Sequence, residues 1–225
     1  MPELSVIVPV YNEEATIASI IERVSAVPVD KEIIVVDDGS TDATARILRG
    51  LQVPGLKVIH HSSNRGKGAA VATAIFHAQA DYAVIQDADL EYDPQDCLKL
   101  LAEVKEGRAD LALGARFTKG YRGLLVHRAG NRFLTWLVNT LFGTRLNDCF
   151  TCYKLCRREV LRNLGLKARS FDIEIEIIAR AVRRGLRVRE LPIAYHPRSY
   201  AQGKKIRLLD GLWAAGSIIR YRLMR

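Results

Sequence analysis

Residues 31–40 read K-E-I-I-V-V-D-D-G-S, and this stretch decides the fold. Four β-branched apolar residues in a row are typical of a strand that is buried on both faces of a sheet. The carboxylates, glycine and serine that follow form turns, and Ser40 or Thr41 can cap a helix. A buried strand that leads through a polar turn into a helix is the repeating unit of a parallel α/β protein.

The same unit recurs on both sides of this stretch. Apolar runs predict further strands, and apolar residues at helical spacing predict the helices between them. The predicted strands are residues 4–10, 56–60, 82–86 and 111–114, and the predicted helices are residues 13–26, 41–49, 67–79 and 94–107. This alternation predicts a mostly parallel sheet with helices on both faces.

The second half of the chain departs from the alternation. Residues 118–123 are predicted to form a loop, residues 124–142 an amphipathic helix and residues 152–156 a strand. Residues 171–184 begin like a strand, but their apolar stripe continues to Arg184 and Gly185 can end a helix, which favours the helix. Residues 188–195 are predicted to form an edge strand because of Pro192, and the last 20 residues a basic amphipathic helix.

Composition and charge narrow the class of protein. The chain has 225 residues, an ordinary globular composition and a net charge of +9. Residues 1–112 carry 10 Lys and Arg against 18 Asp and Glu, whereas residues 113–225 carry 24 against 7. Such a basic half attracts nucleic acid, anionic lipid or phosphorylated substrates. No apolar run reaches the roughly 20 residues of a membrane span, and the acidic start Met1-Pro2-Glu3 is unlike a signal peptide, so a cytoplasmic protein is expected.

Polar groups follow four of the predicted strands. They are residues 9–13 (P-V-Y-N-E), 37–40 (D-D-G-S), 64–68 (N-R-G-K-G) and 87–89 (D-A-D). Each group alone is typical of an ordinary turn. In an open α/β sheet, ligands bind outside the carboxyl ends of the strands, so the shared placement predicts one binding crevice.

Asp87-x-Asp89-x-Glu91 is the most specific of these groups. Carboxylates held close together are costly unless a cation shares them, and oxygen-only ligands select Mg²⁺ or Mn²⁺. Because Mg²⁺ is typically bound by one or two carboxylates plus substrate phosphates, a diphosphate ligand is predicted. The alternative is an acidic turn before the helix at Pro94.

Gly66-Lys67-Gly68 resembles a dinucleotide fingerprint only superficially, because the third glycine is missing and the motif does not follow the first strand. A phosphate lying against Arg65, Lys67 and the helix N-terminus stays open. The motif also lacks the Lys-Ser/Thr ending of a P-loop.

Cys149-x-x-Cys152-x-x-x-Cys156 invites a zinc interpretation, but no second cysteine pair follows. Cys152 and Cys156 are instead expected to pack as small apolar residues on one face of a strand.

The motifs P-V-Y-N-E-E, E-I-I-V-V-D-D-G-S-T-D, N-R-G-K-G, Q-D-A-D-L-E and G-A-R-F occur in this order. The order resembles the family 2 glycosyltransferases with the GT-A fold, a nucleotide-diphospho-sugar-binding Rossmann-like sandwich with a mostly parallel central sheet. The segments T-C-Y-K-L, F-D-I-E-I-E and Y-x-x-R-S-Y-x-x-G-K-K-I are similar to the branch that contains dolichol-phosphate mannosyltransferases and polyprenyl-phosphate sugar transferases. The resemblance implies one GT-A domain over residues 1–225, with a nucleotide-sugar half (1–115), an acceptor half (116–203) and a basic C-terminal helix (204–225).

The resemblance also implies roles for individual residues. It implies a metal held by Asp87, Asp89 and Glu91, and donor or acceptor phosphates contacted by Arg116 and Arg198. The predicted catalytic residues are Asp89, Arg116, Asp148 and Arg198. The implied nucleotide-binding residues are Pro9, Tyr11, Glu13, Asp37, Asp38, Lys67, Asp87 and Ala88. The implied acceptor-phosphate residues are Arg128, Arg198, Lys204 and Lys205.

The implied reaction is inverting transfer of a sugar from a UDP- or GDP-linked donor, dependent on Mg²⁺ or Mn²⁺. An acceptor phosphate is largely dianionic at neutral pH and needs cations, whereas a sugar hydroxyl needs a general base, for which Asp148 and Glu174 are candidates. The excess of cations favours a polyprenyl phosphate, with transfer to a sugar hydroxyl as the alternative. A basic nucleic-acid-binding module and a nucleotidyltransferase are the alternatives from other classes, although nucleic acid is not expected because few aromatics accompany the cations.

The amphipathic segments at residues 124–142 and 206–224 allow two interpretations. They combine Leu, Ile, Phe and Trp with Arg, as helices in a membrane interface do. They can equally pack on the core with solvated arginines. Peripheral contact with the cytoplasmic face of a membrane is therefore one expectation, and simple core packing is the other.

Overall fold

A computed structural model of the protein describes residues 1–117, 125–198 and 208–223. Within these ranges lie seven strands: β1 Leu4–Val10, β2 Lys31–Asp37, β3 Leu56–His60, β4 Tyr82–Ile85, β5 Leu111–Ala115, β6 Lys154–Arg157 and β7 Val188–Pro192. The same ranges hold eight α-helices: α1 Ile17–Ser25, α2 Thr44–Gly50, α3 Lys67–His77, α4 Cys97–Lys105, α5 Leu125–Phe142, α6 Arg158–Leu164, α7 Ile173–Arg183 and α8 Leu208–Leu223. A 3₁₀ turn, Pro94–Asp96, leads into α4.

The seven strands form one sheet in the order β3-β2-β1-β4-β6-β5-β7. Neighbouring strands are parallel except on the two sides of β6, which runs antiparallel to both β4 and β5. The carboxyl ends of β1, β2 and β4 therefore meet at one edge of the sheet. Because β6 runs the other way, the residues that precede it lie at this edge too.

Apolar cores cover both faces of the sheet. One core joins Ile7, Ile34 and Ile85 to helices α3, α5, α6, α7 and α8, and the other joins Val6 and Val8 to helices α1, α2 and α4. Successive residues of β1 alternate between the two cores, as the period of a strand requires. Burial on both faces explains why the central strands are uninterrupted apolar runs in the sequence.

The structure confirms the predicted α/β fold, including the helix at α7 and an edge position for β7. One element was not predicted, and the bounds of others differ. Helix α6 was not expected, the helix predicted over residues 94–107 is divided into a 3₁₀ turn and α4, and β6 begins at Lys154 rather than at residue 152. Because Cys152 precedes the strand, Cys152 and Cys156 pack in opposite cores and not on one face. The predicted loop 118–123 lies outside the described residues.

Helices α5 and α8 pack on each other and on α7. Val138 and Ile218 are fully buried between them and the sheet, while Phe133, Trp136 and Trp213 are exposed, Trp213 by 79%. No helix in the described ranges is long and apolar enough to span a membrane. The two helices thus bury one face in the core, which agrees with the core-packing interpretation of these segments. They also present exposed aromatic side chains.

Candidate active site

The loops after β1 and β2 are joined by side-chain hydrogen bonds. Asn12 has a left-handed φ of 52°, and its Oδ1 accepts a hydrogen bond from the backbone N–H of Thr41 at 2.8 Å. The backbone N–H groups of Asn12 and Glu13 donate to the hydroxyls of Ser40 and Thr44, both at 2.9 Å. These bonds fix the backbone that carries Glu13 into the crevice.

Asp37 and Asp38 are buried, and their carboxylates hold nearby polypeptide. Asp37 Oδ2 lies 2.9 Å from Nδ1 of His60. Asp38 accepts hydrogen bonds from the backbone N–H groups of Arg65 at 3.0 Å and Gly66 at 2.7 Å, immediately before α3. The backbone N–H groups of Arg65 and Gly66 are therefore occupied by a carboxylate of the protein itself.

Gly66 and Gly68 are required by close packing. Gly66 has a φ of 94°, and the first turn of α3 lies against the backbone of Ala168 and Arg169. A Cβ at position 68 would lie 2.8 Å from the carbonyl carbon of Ala168 and 2.9 Å from that of Arg169. The missing side chains of Gly66 and Gly68 thus allow the close backbone contact that holds Lys67 in place.

Lys67 lies in a chain of four charges, of which those of Glu174 and Lys154 are buried. Its Nζ is 2.7 Å from Asp87 Oδ1 and 2.8 Å from Glu174 Oε1, and Lys154 Nζ is 2.5 Å from Glu174 Oε2. Burial lowers the pKa of Lys67, but the charges of Asp87 and Glu174 outweigh it and hold that pKa well above its ordinary value. Burial raises the pKa of Glu174, and the two lysines more than reverse the effect. Glu174 is therefore an ionised ion-pair partner and is poorly suited to be a general base.

Asp89 follows β4 in a strongly acidic environment. Burial, together with the charges of Asp87 and Glu91, raises the pKa of Asp89 to about 7, although Arg198 acts in the opposite direction. Arg198 Nη2 lies 3.3 Å from Asp89 Oδ2, and its Nη1 lies 2.9 Å from Glu13 Oε2. The guanidinium thus connects the ends of β1 and β4.

The Glu91 side chain contacts residues 195–198. Leu90, between Asp89 and Glu91, has a left-handed φ of 63°. Glu91 Oε2 accepts a hydrogen bond from the Tyr195 hydroxyl at 2.5 Å, and Oε1 accepts one from the backbone N–H of Arg198 at 2.8 Å. Both carboxylate oxygens of Glu91 therefore have partners within the protein.

Arg116 and Asp148 form a buried pair at the carboxyl end of β5. Arg116 Nε lies 2.6 Å from Asp148 Oδ2, and Nη2 lies 2.8 Å from Oδ1. Asn131 donates to the same carboxylate, and Glu190 accepts from the backbone N–H of Asp148 at 2.7 Å. Asp148 is completely buried, so this second candidate base is also committed to an arginine.

Sequence reasoning missed several residues of the crevice. The rings of Tyr92 and Tyr153 stack at 5.0 Å, Tyr195 meets Tyr92 edge-on at 5.3 Å, and the guanidinium of Arg116 lies 5.2 Å from the centre of the Tyr195 ring. Tyr195 belongs to a quoted motif, but no role was predicted for it. Tyr153 and the buried Lys154 likewise belong to the quoted motif T-C-Y-K-L without a predicted role, and Tyr92 carried no signal beyond its residue type.

The remaining predicted site residues lie in varied settings. Pro9 is buried within β1, Ala88 is buried in the core, and Tyr11 is half-buried after β1. Arg128 is exposed on α5. The two predicted acceptor lysines at positions 204 and 205 lie outside the described residues.

The fit of a divalent metal depends on Asp87 and Asp89. In the part of the chain that the structure describes, no three His, Cys, Asp or Glu side chains meet at one metal-binding point. The carboxylates are instead paired with Lys67 and Arg198. Asp87 and Asp89 still form an oxygen-only set, and the charge of Asp87 raises the pKa of Asp89. Such a set fits Mg²⁺ or Mn²⁺ when substrate phosphates complete the coordination.

The cysteine motif forms no cluster of ligands. Cys149, Cys152 and Cys156 are buried free thiols, and burial raises the pKa of each of them, that of Cys156 to about 12. They are therefore protonated and apolar in behaviour.

The sequence matches the pattern of a known protein family and is similar to several named proteins. The pattern described as Glycosyl transferase family 2 matches residues 5–165. A Haloferax volcanii protein named low-salt glycan biosynthesis hexosyltransferase Agl6 is 32% identical over 204 residues, which are 88% of this chain and 48% of that protein. Polyprenol monophosphomannose synthase of Mycolicibacterium smegmatis is 31% identical over 215 residues, 88% of this chain and 79% of that enzyme. The chain thus spans about half the length of the first relative.

Solved structures show the same fold. Glucosyl-3-phosphoglycerate synthase from Mycobacterium tuberculosis, in complex with Mn²⁺, UDP-glucose and glycerol 3-phosphate, has a TM-score of 0.69 and 25% identity, covering 99% of this chain and 79% of that chain. The sheet, with its carboxylate pair after β4, has the GT-A fold of nucleotide-sugar-dependent glycosyltransferases. Within that class, the chain belongs to glycosyltransferase family 2, which confirms the family that the motifs predicted.

Proposed function

We propose that the protein transfers a sugar from a UDP- or GDP-linked donor to a polyprenyl phosphate, with inversion at the anomeric carbon. The observation that carries this proposal is the pairing of Asp87 and Asp89 at the end of β4, with the pKa of Asp89 raised to about 7 by burial and by its acidic neighbours. Such a site favours a cation, and a donor diphosphate is the usual additional ligand of Mg²⁺.

Asp87 and Asp89 would hold the metal, which when bound neutralises charge on the leaving diphosphate. Lys67, beside Asp87, adds a second positive charge at this end of the crevice. Glu13 and the backbone held by Asn12 lie at the end of β1, where the resemblance implies the nucleotide. The donor would then lie across the carboxyl ends of β1 and β4.

The state of the acidic residues supports a phosphate acceptor. Asp148 accepts hydrogen bonds from both Nε and Nη2 of Arg116, and Glu174 is held by two lysines. Neither carboxylate is placed to take a proton from a sugar hydroxyl, whereas a phosphate dianion needs no base. Arg116 and Arg198, which the protein's own carboxylates hold in place, are the cations that would contact the phosphate. The name of the mycobacterial relative, a polyprenol monophosphomannose synthase, points to the same acceptor class.

The acceptor would be reached at a membrane surface, on its cytoplasmic face. The exposed Phe133, Trp136 and Trp213 lie on α5 and α8, and exposed Arg132 accompanies them on α5. Aromatic and basic side chains on one amphipathic surface are typical of interfacial helices. Replacing Trp136 and Trp213 by alanine should weaken binding to anionic vesicles, whereas Phe76→Ala, an exposed aromatic on α3, is the matched control.

A transfer assay tests the proposed reaction. Labelled UDP- and GDP-sugars are offered with polyprenyl phosphate or with a free sugar, with and without Mn²⁺. Asp89→Asn should lower the rate by about 100-fold or more, because a catalytic metal contributes several kcal/mol. Asp81→Asn, which removes the same charge at the opposite, exposed end of β4, should keep the rate. Full activity of Asp89→Asn would refute the metal site, and faster transfer to the free sugar would refute the acceptor.

A further inference from the structure

Two charged side chains lie inside the protein beside the crevice. Lys154 of β6 is completely buried, and Glu174 of α7 is 4% exposed. Lys154 Nζ lies 2.5 Å from Glu174 Oε2 and also donates a hydrogen bond to the carbonyl of Thr151. A buried ion pair adds little stability over an apolar pair of similar size, because both charges lose their water. Stability alone therefore does not account for this pair.

Glu174 extends the pair toward the crevice. Its second oxygen, Oε1, lies 2.8 Å from Nζ of Lys67, the first residue of α3. The same Nζ lies 2.7 Å from Oδ1 of Asp87, in the turn after β4. The charges thus alternate in sign from Lys154 to Asp87, and the ammonium of Lys67 lies between two carboxylates.

The ammonium of Lys67 has one position only when both carboxylates hold it. A lysine carries a compact charge on a flexible four-carbon stem, without the planar fork that orients an arginine. Close packing at Gly66 and Gly68 fixes the backbone of Lys67 but not its side chain, which is 11% exposed and borders the crevice. With Asp87 alone as its ion-pair partner, the ammonium could turn about that carboxylate. Glu174 holds it on one side.

Lys154 in turn fixes Glu174. It pairs with Oε2, which leaves Oε1 for Lys67, and it supplies the opposite charge that a carboxylate needs in an apolar core. Because Lys154 is completely buried, it acts on the crevice only through Glu174 and Lys67.

We propose that Glu174 and Lys154 are positioning residues that hold the ammonium of Lys67 beside Asp87, at the end of the crevice where the donor diphosphate is proposed to bind. The inference rests on the proposed function, because it assigns a role within that same donor site. A positive charge that is fixed before the reaction stabilises the charge developing on a leaving group better than one that must first move into place. Loss of the two residues should therefore act on kcat more than on the KM of the donor.

Replacing both buried charges together tests the inference without leaving one of them unpaired. In Lys154→Met with Glu174→Leu, the core double variant, kcat should fall about tenfold or more while the KM of the donor changes less than about threefold. Lys67→Met should also lower kcat, and adding the core substitutions to it should lower kcat no further, because residues that act through one group are not additive. Arg187→Ala with Asp110→Ala removes an ion pair at the amino ends of β5 and β7, and this matched control should keep both constants.

The reactivity of the Lys67 amine gives a measurement that does not depend on catalysis. Acetylation by an N-hydroxysuccinimide ester of acetate is followed at each lysine by mass spectrometry. Acetylation of Lys67 should be about tenfold or more faster in the core double variant than in the unsubstituted protein, because the amine has lost one of two charged partners. Lys99 on α4, whose side chain is 39% exposed, should react equally in both proteins.

A second core variant keeps the test decisive if the first folds poorly, since the Thr151 carbonyl loses its donor there. Lys154→Met with Glu174→Gln retains an oxygen that accepts from the Lys67 ammonium. It should restore part of kcat and make the acetylation of Lys67 slow again.

Unchanged acetylation of Lys67 in the core variants would overturn the inference, and so would a further loss of kcat when the core substitutions are added to Lys67→Met. If the unsubstituted protein transfers no sugar from any donor, the proposed function fails instead. The acetylation of Lys67 in the core variants still decides whether Glu174 and Lys154 hold its ammonium.

Discussion

Gly68 offers a direct test of how tightly the two halves of the chain meet. In Gly68→Ala, the new Cβ would lie 2.8 Å from the carbonyl carbon of Ala168 and 2.9 Å from that of Arg169, and closer still to the Ala168 oxygen. These are backbone atoms, so no side chain can rotate away to make room. We expect a loss at the upper end of the cost of overpacking, about 3 kcal/mol.

Gly50→Ala is the matched control for this change. Gly50 lies in α2, and nothing within 4 Å would meet its Cβ, so alanine should add up to about 1 kcal/mol through helix propensity. At about 2–4 °C per kcal/mol for a chain of this size, Gly68→Ala should lower the melting temperature by about 6–12 °C and Gly50→Ala should raise it slightly.

Thermal unfolding followed by circular dichroism measures both variants, and urea unfolding gives the free energies. A melting temperature for Gly68→Ala close to that of the unsubstituted protein would refute the close contact of α3 with residues 168–169. Equal losses of stability in both variants would show that the loss comes from replacing any helical glycine by alanine and not from contact with residues 168–169.

Two further predictions concern charge. Because burial and the charges of Asp87 and Glu91 raise the pKa of Asp89 from 3.8 to about 7, the metal-free fold should lose stability as the pH rises through that window. Mn²⁺ should then raise the melting temperature more at pH 8 than at pH 6, and equal shifts would contradict this. Arg116→Ala leaves the Asp148 carboxylate buried without its guanidinium and should cost about 3–5 kcal/mol in urea unfolding. Arg116→Ala combined with Asp148→Ala should cost less than the sum of the single changes, and additive losses would exclude the coupling.

The sheet could be predicted because its signal is local. Residues of β1 are buried on both faces, so Leu4–Val10 is one apolar run, and the polar turns after it mark the carboxyl edge. Polar turns at the carboxyl ends of parallel strands meet at one edge, and this placed Asp87 and Asp89 next to the end of β1. Family motifs then supplied the class of reaction.

The parts that could not be predicted depend on distant contacts or on backbone reversals. Lys154 is a charged residue at the start of a strand, and its burial is explained by Glu174 on α7 together with the carbonyl of Thr151. Glu91 continues the spacing of the two aspartates, but no pattern indicated that its carboxylate accepts hydrogen bonds from Tyr195 and Arg198. Helix α6 spans seven residues and buries only Leu161 and Leu164, too short a pattern for helical periodicity to be recognised.

The reversed strand β6 has a consequence for the order in which the protein is made. It stands between β4 and β5, which are consecutive strands joined through α4 and would otherwise be free to pair. A nascent chain that ends before residue 154 therefore leaves the facing edges of both strands open, a state that invites wrong pairing on the ribosome. Insertion of β6 closes the sheet, but it also buries Lys154, whose partner Glu174 is synthesised 20 residues later. Maturation of the crevice is thus expected to be a late event of folding, completed only when α7 has left the ribosome.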